Sequence, residues 1–330
     1  MKQHSTHQML ISTTSTEAFD KHLLNEARLL FKKINELTVR FRAADVHDQV
    51  HRQVKRLENY VGQVKDPKTR YYIYKTSDLY CVIYKDPSAR IPYLHMMMDI
   101  IEADDTVVPE REKALTMFKF GDVLYDEHKI EQAHNFVHKL YREEPKLFKN
   151  LLSGYHLLIE TAILLGKYDL AEQVLNKEFA HAIKTKEQTY CAFALMNYAK
   201  LYLHKGDYEK SLGYLMETKK IHNQIFNPGQ EVEIRLYENM CFFLSGDIDF
   251  ARQLVNANLK FCRAKGLSQR NPRIKQMVDI INDAVTARIN SIPVSKDTLT
   301  TLKHFQKGTY AIIGKLLTRM ASSTTTIEIG

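Results

Sequence analysis

Two histidines one helical turn apart, with an acidic residue beside the first, are the closest approach to a metal site in this sequence. They form the segment HDQVH at 47–51, which compares with H-E-x-x-H of metalloproteases, where both histidines bind zinc and the glutamate is the general base. Here the acid is the shorter Asp48 and no third ligand follows nearby, so we favour a polar helix surface. A second pair, His134 and His138, lacks an acid between its members. The sequence therefore predicts no metal and no cofactor.

Compact catalytic motifs are missing from the chain, which contains no G-x-S-x-G, no G-x-G-x-x-G and no P-loop pattern. The adjacent acids Asp104-Asp105 and Glu143-Glu144 fall where we expect helix ends and links. Catalytic groups also assemble from distant residues in some enzymes, but nothing in this sequence favours such an arrangement. We therefore predict that the protein is not an enzyme.

The cysteines indicate a reducing compartment. Cys81, Cys191, Cys241 and Cys262 are widely spaced and form no C-x-x-C pair. The first three lie in apolar stretches, where cysteine packs as a small hydrophobic residue. Free thiols predict a cytoplasmic protein. The N-terminus lacks the apolar core of a signal peptide, and no apolar run is long enough to span a bilayer, so we expect no membrane association.

Charge is distributed unevenly along the chain, whose formal net charge is +8. Residues 101–250 carry 18 Lys and Arg against 24 Asp and Glu, whereas residues 251–330 carry 13 against 4. The basic part contains a run without any acid, formed by Lys260, Arg263, Lys265, Arg270, Arg273 and Lys275. Such a run is able to contact phosphate or an acidic protein. A solvated surface is the favoured interpretation, and nucleic-acid binding is the alternative.

A turn motif recurs about every 40 residues, which is a period typical of helical repeats. Its copies read DEHKIEQA, LLGKYDLA, HKGDYEKS and LSGDIDFA, and each places a small residue five positions after the turn residue. Apolar residues recur at helical spacing before and after every copy. A glycine at the junction suits the left-handed residue that ends many helices. The pattern predicts antiparallel helix pairs that turn at His128, Gly166, Gly206 and Gly246 and pack at Ala133, Ala171, Ser211 and Ala251.

These residues resemble the tetratricopeptide repeat, a family that places Gly-Asp-Tyr at the turn and Ala five residues after the Gly. The copies at Gly166 and Gly206 match well, whereas Ile248 replaces the Tyr in the last copy. The resemblance covers roughly residues 108–265 and implies an all-α fold, a right-handed superhelical α-solenoid of antiparallel helix pairs. Another α-solenoid is the alternative.

The rest of the chain is expected to extend this architecture. Asp66-Pro67 has the form of an N-cap followed by proline at the first helical position, which predicts a helix from residue 67. The Ser/Thr-rich ends are typical of disorder. We expect a disordered tail at 1–15 and an N-terminal helical region, continuous with the solenoid, at 16–107. The repeats should follow at 108–265, capping helices at 266–320 and a second disordered tail at 321–330.

The resemblance also implies a binding face. In tetratricopeptide arrays the first helix of each pair lines a concave face that holds peptides or partner helices. Carried over by position, this face comprises Phe118, Asp122, His156, Glu160, Met196, Lys200, Leu203, Leu236, Met240 and Phe243. Met, Phe and scattered charges suit an extended or helical peptide.

The sequence therefore predicts a non-enzymatic scaffold that binds a protein or peptide partner. Two alternatives stay open: a peptide-responsive regulator with an N-terminal effector region, and a nucleic-acid-associated protein that uses the basic C-terminal region. The sequence gives no indication of the oligomeric state.

Overall fold

A computed structural model describes residues 2–40, 47–84, 87–148, 152–185, 187–222, 228–267, 272–305 and 311–325. Every regular element in these ranges is helical. The α-helices are α1 (Lys2–Arg40), α2 (His47–Tyr60), α3 (Pro67–Tyr84), α4 (Ile91–Ala103), α5 (Glu110–Asp126), α6 (Ile130–Glu143), α7 (Pro145–Phe148), α8 (Leu152–Leu164), α9 (Tyr168–Thr185), α10 (Gln188–Lys205), α11 (Tyr208–His222), α12 (Pro228–Ser245), α13 (Ile248–Ala264), α14 (Pro272–Asn290), α15 (Lys296–Phe305) and α16 (Ala311–Thr325). Short 3₁₀ turns lie at Val61–Gln63 and Pro87–Arg90. The chain divides into two compact units.

Unit 1 comprises residues 1–127 and 139–151. Its main core joins α1, α2 and α3 through buried aliphatic residues that recur every three or four positions. This spacing puts one apolar stripe on each helix, so the stripes face one another. The stripes of α1 and α2 consist of Leu23, Ala27, Leu30, Ile34, Val50, Val54 and Leu57.

The predicted start of α3 is confirmed. Pro67 is its first residue, and the Asp66 carboxylate accepts a hydrogen bond from the Thr69 backbone N–H at 2.9 Å. The buried Asp20 of α1 accepts from the backbone N–H of Asp66 at 2.8 Å. These bonds satisfy amide groups that a helix N-terminus leaves unpaired, and they fix α3 against α1.

Unit 2 comprises residues 128–138 and 152–330 and contains three helix pairs, α8/α9, α10/α11 and α12/α13. The turn residues Gly166, Gly206 and Gly246 have φ angles of 74°, 85° and 95°. At the first turn the Gly166 N–H donates to Ile163 O and the Lys167 N–H donates to Ala162 O, as in a Schellman motif. His128, before α6, also has positive φ. The predicted turns are therefore confirmed.

The small residue that follows each turn is fully buried. Ala133, Ala171, Ser211 and Ala251 have no exposed surface, and the Ser211 hydroxyl donates to the Ala199 carbonyl at 2.8 Å. A larger side chain at these positions would push the paired helices apart, because protein interiors are close-packed. This requirement explains the small residue in every copy.

The ends of the chain differ from the sequence prediction. Helix α1 begins at Lys2, so it includes most of the predicted 1–15 tail, and α16 extends to Thr325. Ser and Thr lower helix propensity by only tenths of a kcal/mol, about 0.7 at most, so a helix continues through them. Residues 326–330 lie outside the described residues.

The last helix of the predicted capping region does more than cover the end of the repeats. Helices α14 and α15 follow the repeats, but α16 packs against α8, α12, α14 and α15. Its buried side chains, which include Ile312, Ile313, Leu316 and Leu317, surround most of the helix. A helix that is apolar on most sides must be covered on most sides, which explains why α16 contacts several helices. In the described part of the chain, no helix combines the length and apolar character needed to cross a membrane.

Candidate functional site

A buried lysine joins the first helices of the three pairs in unit 2. Lys200 of α10 lies with its Nζ 3.0 Å from Glu160 Oε1 of α8 and 3.2 Å from Glu233 Oε1 of α12. The Lys200 and Glu160 side chains are only 7% and 5% exposed. We call these three residues the charge cluster. Because each belongs to a different helix, the cluster fixes the lateral order of α8, α10 and α12.

The surroundings of Lys200 favour its charged form. Burial alone would lower the pKa of Lys200, but the nearby carboxylates of Glu233 and Glu160 outweigh it and hold the pKa well above its usual value. The ammonium also lies 5.6 Å from the centre of the Tyr237 ring, within cation–π range. Two glutamates and one lysine give the charge cluster a formal charge of −1.

One side of the charge cluster is open to solvent. The side chains of His156 and Glu233 are 38% and 36% exposed, and those of Phe193 and Met196 are partly exposed. His156 Nε2 lies 3.3 Å from Glu160 Oε1, and its ring packs edge-on against Phe193 at 5.8 Å. The opening therefore combines apolar and polar groups, as ligand sites usually do.

Two polar atoms at this opening have no hydrogen-bond partner among the residues that the structure describes. Asn197 is 2% exposed; its Nδ2 donates to the Phe193 carbonyl at 2.8 Å, but its Oδ1 is buried and unpaired. His156 Nδ1 is likewise buried and unpaired. A buried polar atom without a partner costs about 1–3 kcal/mol. Each atom would gain a hydrogen bond if a donor of a ligand or a water reached it.

The structure assembles four of the predicted face residues at this opening: His156, Glu160, Met196 and Lys200. It places four others in the core, because the carried-over positions span a wide arc of each helix and the inner part of that arc packs against neighbouring helices. Those four are Leu203, Leu236, Met240 and Phe243, which are at most 3% exposed. Phe118 and Asp122 belong to α5 of unit 1 and are partly exposed.

The sequence prediction omits three residues of the opening, namely Phe193, Asn197 and Glu233. Phe193 and Asn197 lie seven and three positions before Lys200, hence within two turns on the same side of α10. That spacing is a signal the sequence does contain. Glu233 follows Lys200 by 33 positions instead of 40, and the sequence gives no sign of it.

The basic run is exposed where the structure describes it. Lys260, Arg263 and Lys265 lie at the end of α13, and Arg273 and Lys275 at the start of α14; Arg270 lies outside the described residues. Lys275 pairs with Asp279 at 2.8 Å. The cations of α13 complement the negative end of that helix dipole. Binding of nucleic acid at this run stays a prediction.

The histidine pairs have structural partners. His47 Nε2 and His51 Nδ1 lie 3.1 Å and 2.9 Å from the hydroxyl of Tyr80, which links α2 to α3. His134 is buried, with Nδ1 3.1 Å from Thr161 Oγ1, and burial lowers its pKa to about 4. Within the described ranges, no three or more metal-binding side chains converge.

No protein-family model and no curated protein matches this chain. Solved structures do match. A Rap protein complexed with competence and sporulation factor gives a TM-score of 0.57 at 15% identity, over 90% of this chain and 89% of that chain. NprR in complex with its cognate peptide NprX gives 0.55 at 14% identity, over 93% and 86%. The Rap conjugation gene regulator of the plasmid pLS20, in complex with the Phr* peptide, gives 0.56 at 12% identity, over 86% and 84%.

At such identities the match establishes the fold alone. The similarity spans most of each chain, and the described residues of this protein are helical or lie in turns. The prediction of an all-α fold built from tetratricopeptide-like helix pairs is therefore confirmed.

Proposed function

We propose that unit 2 is a non-enzymatic binding module that holds a peptide, or an extended segment of a partner protein, at the opening of the charge cluster. The observation that carries this proposal is the unpaired, buried Oδ1 of Asn197. An amide oxygen in this position accepts a hydrogen bond from a backbone N–H, and the partly exposed Phe193 and Met196 beside it suit apolar side chains. The three similar structures, each a complex with a peptide or a named factor, support the same reading.

The charge of the site favours a cationic ligand. The charge cluster has a formal charge of −1, and the Glu233 carboxylate is partly exposed at the opening. A lysine, arginine or N-terminal amine of the ligand would complete the neutralisation of this carboxylate. Charge complementarity of this kind selects partners and orients them.

A regulatory role is the second candidate. The chain forms two compact units, so that one unit is able to bind a ligand while the other acts on a target. One of the similar structures is described as a conjugation gene regulator in complex with a peptide. Under this proposal, ligand binding in unit 2 changes amide exchange in α1, α2 and α3. The four free, buried cysteines agree with a cytoplasmic site of action.

A peptide display selection on the full chain tests the proposal. Random peptides are selected for binding, and the affinity of a recovered peptide is measured by calorimetry for the wild type and for Asn197→Ala. We expect at least about tenfold weaker binding to the variant, because one hydrogen bond to a buried acceptor is lost. Asn197→Ala also removes the Nδ2 hydrogen bond to the Phe193 carbonyl and a buried side chain, so it should lower thermal stability, and affinities are compared at a temperature where both proteins are fully folded.

Lys219→Met is the matched control, because it removes an exposed lysine that pairs with Glu238 away from the charge cluster. It should bind the selected peptide as the wild type does. Recovery of no peptide above background, or equal affinity of wild type and Asn197→Ala, would refute the proposed site.

A further inference from the structure

Helix α16 packs against repeat helices that lie far from it in the sequence. It contacts α8 and α12 in addition to its sequence neighbours α14 and α15. Five aliphatic side chains hold it there, and all are at least nine-tenths buried: Ile312, Ile313, Leu316, Leu317 and Met320. The buried apolar surface keeps α16 docked in the folded protein.

The exposed side of α16 contributes two cations that contact successive repeat turns. Lys315 Nζ donates to the carbonyl of Leu164, the last residue of α8, at 2.9 Å across 151 positions of sequence. Arg319 Nη2 lies 3.9 Å from where a Cβ on Gly206 would stand, directly after α10. Cations at helix C-termini are favourable because the helix dipole is negative there. One helix therefore bridges the ends of two repeat helices.

These contacts lie at the C-terminal ends of the two helices that carry Glu160 and Lys200. Leu164 follows Glu160 by four residues on α8, and His204 follows Lys200 by four residues on α10. Residues four apart on a helix share a face and lie one turn from each other. The buried His204 lies near α16: burial lowers the pKa of its imidazole, and the Lys315 cation of α16 adds to this lowering. The charge cluster and α16 thus share α8 and α12, and Arg319 of α16 lies near Gly206 at the end of α10.

Packing between α16 and α8 is incomplete at one end. An open, mostly apolar groove of about 340 Å³ lies there, and its lining includes Ile130, Leu164, Leu165, Ala311 and Lys315. A tightly packed contact resists sliding, whereas a groove leaves room for a shift. This groove lies beside the first turn of α16, where Ala311, Ile312 and Ile313 stay buried.

We propose that α16 is a regulatory strap: it sets the spacing of α8 and α10 on which the geometry of the charge cluster depends, and a ligand at the cluster in turn tightens α16. The ligand half of this proposal rests on the proposed function, but the coupling itself is a property of the free protein. Coupling between two sites is reciprocal, so it must be measurable from either side.

Hydrogen exchange of the full-length free protein, followed by mass spectrometry, tests the coupling in both directions. In the first direction, Lys315→Ala with Arg319→Ala should raise exchange in the last turns of α8 and α10 about fivefold or more. The charge-preserving pair Lys315→Arg with Arg319→Lys should restore slow exchange. The matched control removes the exposed Lys296 and Lys303 of α15 and should change nothing in α8 or α10.

In the reverse direction, Lys200→Met should raise exchange in α16 about fivefold relative to α15, whereas Lys219→Met should not. Should Lys200→Met fail to fold, the double variant Glu160→Gln with Lys200→Met, which removes the buried ion pair as a whole, replaces it with the same expectation. Unchanged exchange of α16 in these variants, or of α8 and α10 in the strap variant, would overturn the proposal.

Peptide affinity distinguishes a regulatory role of α16 from a purely structural one. The strap variant, Lys315→Ala with Arg319→Ala, should bind the display-selected peptide about fivefold more weakly than the wild type. The control variant that lacks Lys296 and Lys303 of α15 should bind it with wild-type affinity. Equal affinity of the strap variant and the wild type would overturn the regulatory role. If no peptide is recovered, the proposed function fails, and the exchange experiment still decides the coupling.

Discussion

Removal of the Lys200 ammonium is the perturbation whose consequence follows most directly from the structure. Lys200→Met preserves most of the side-chain volume but deprives the Glu160 carboxylate, which is 5% exposed, of the ammonium 3.0 Å away. Breaking a buried ion pair on one side costs about 3–5 kcal/mol, because the remaining charge is left without compensation in a poorly solvated place. Glu233 adds little to this figure, since its exposed carboxylate is able to turn toward water.

The double variant Glu160→Gln with Lys200→Met separates this effect from simple loss of packing. It removes the ammonium and the buried carboxylate together, leaving only the partly exposed Glu233, and it should recover about 2 kcal/mol or more relative to Lys200→Met. The assay is urea unfolding of the two single variants, the double variant and the wild type, followed by circular dichroism. The cycle of four unfolding free energies gives the coupling.

Neutral pH is the correct condition for this cycle. The pKa of Lys200 is raised in the folded protein, so its stabilising contribution is fully present below the lysine pKa of the unfolded chain, about 10.4. The contribution is lost only as the pH rises through the higher folded value. A cost of Lys200→Met below about 1 kcal/mol, or additivity of the two substitutions, would refute a buried charge pair.

Three further predictions concern the fold. Gly206→Ala should lower the unfolding free energy by about 1–2 kcal/mol, because φ is 85° at this residue. Gly213→Ala lies inside α11 with open space around it and should raise the unfolding free energy by about 0.5–1 kcal/mol. Urea unfolding measures both effects. Burial lowers the pKa of His204 to about 3, so stability is fully present above pH about 6.5 and falls toward pH 3. His204→Asn should flatten the slope of unfolding free energy against pH, and an unchanged slope would contradict the assignment. Asp78→Asn should lower the free energy of unfolding in urea by about 3–5 kcal/mol, because this fully buried carboxylate pairs with Arg90 and Lys119. Asp105→Asn, which removes an exposed ion pair, should lower it by less than about 0.5 kcal/mol.

The helix pairs were predictable because their signals are local. A left-handed turn selects glycine, as at Gly166, and close helix packing selects a small residue, as at Ala171. Both constraints act within a few residues, so they leave a pattern in the sequence. Even the weak copy at His128 is a genuine turn with positive φ.

The site was predictable only in part, because it depends on lateral packing. Glu160 and Lys200 lie 40 residues apart, in step with the repeat, and the sequence places both on one face. Glu233 breaks that step, and the unpaired state of Asn197 Oδ1 depends on every neighbouring group. Leu203 looks equivalent to Lys200 on a helical wheel, yet it is fully buried.

The return of α16 to α8 could not be predicted at all. The contact between Lys315 and Leu164 crosses 151 residues, and sequence patterns at that separation carry no information about which helix covers which. What the sequence does contain is the nearly continuous apolar run AIIGKLL at the start of α16. Such a run indicates burial on several sides, which excludes a simple terminal cap with one polar face.

A crystal structure of the full chain with a display-selected peptide is the most direct test of the binding site. We expect the peptide at the opening of α8, α10 and α12, with a backbone N–H about 2.9 Å from Asn197 Oδ1 and a cationic group toward Glu233. A peptide bound at any other surface, with Asn197 Oδ1 still unpaired, would contradict the account.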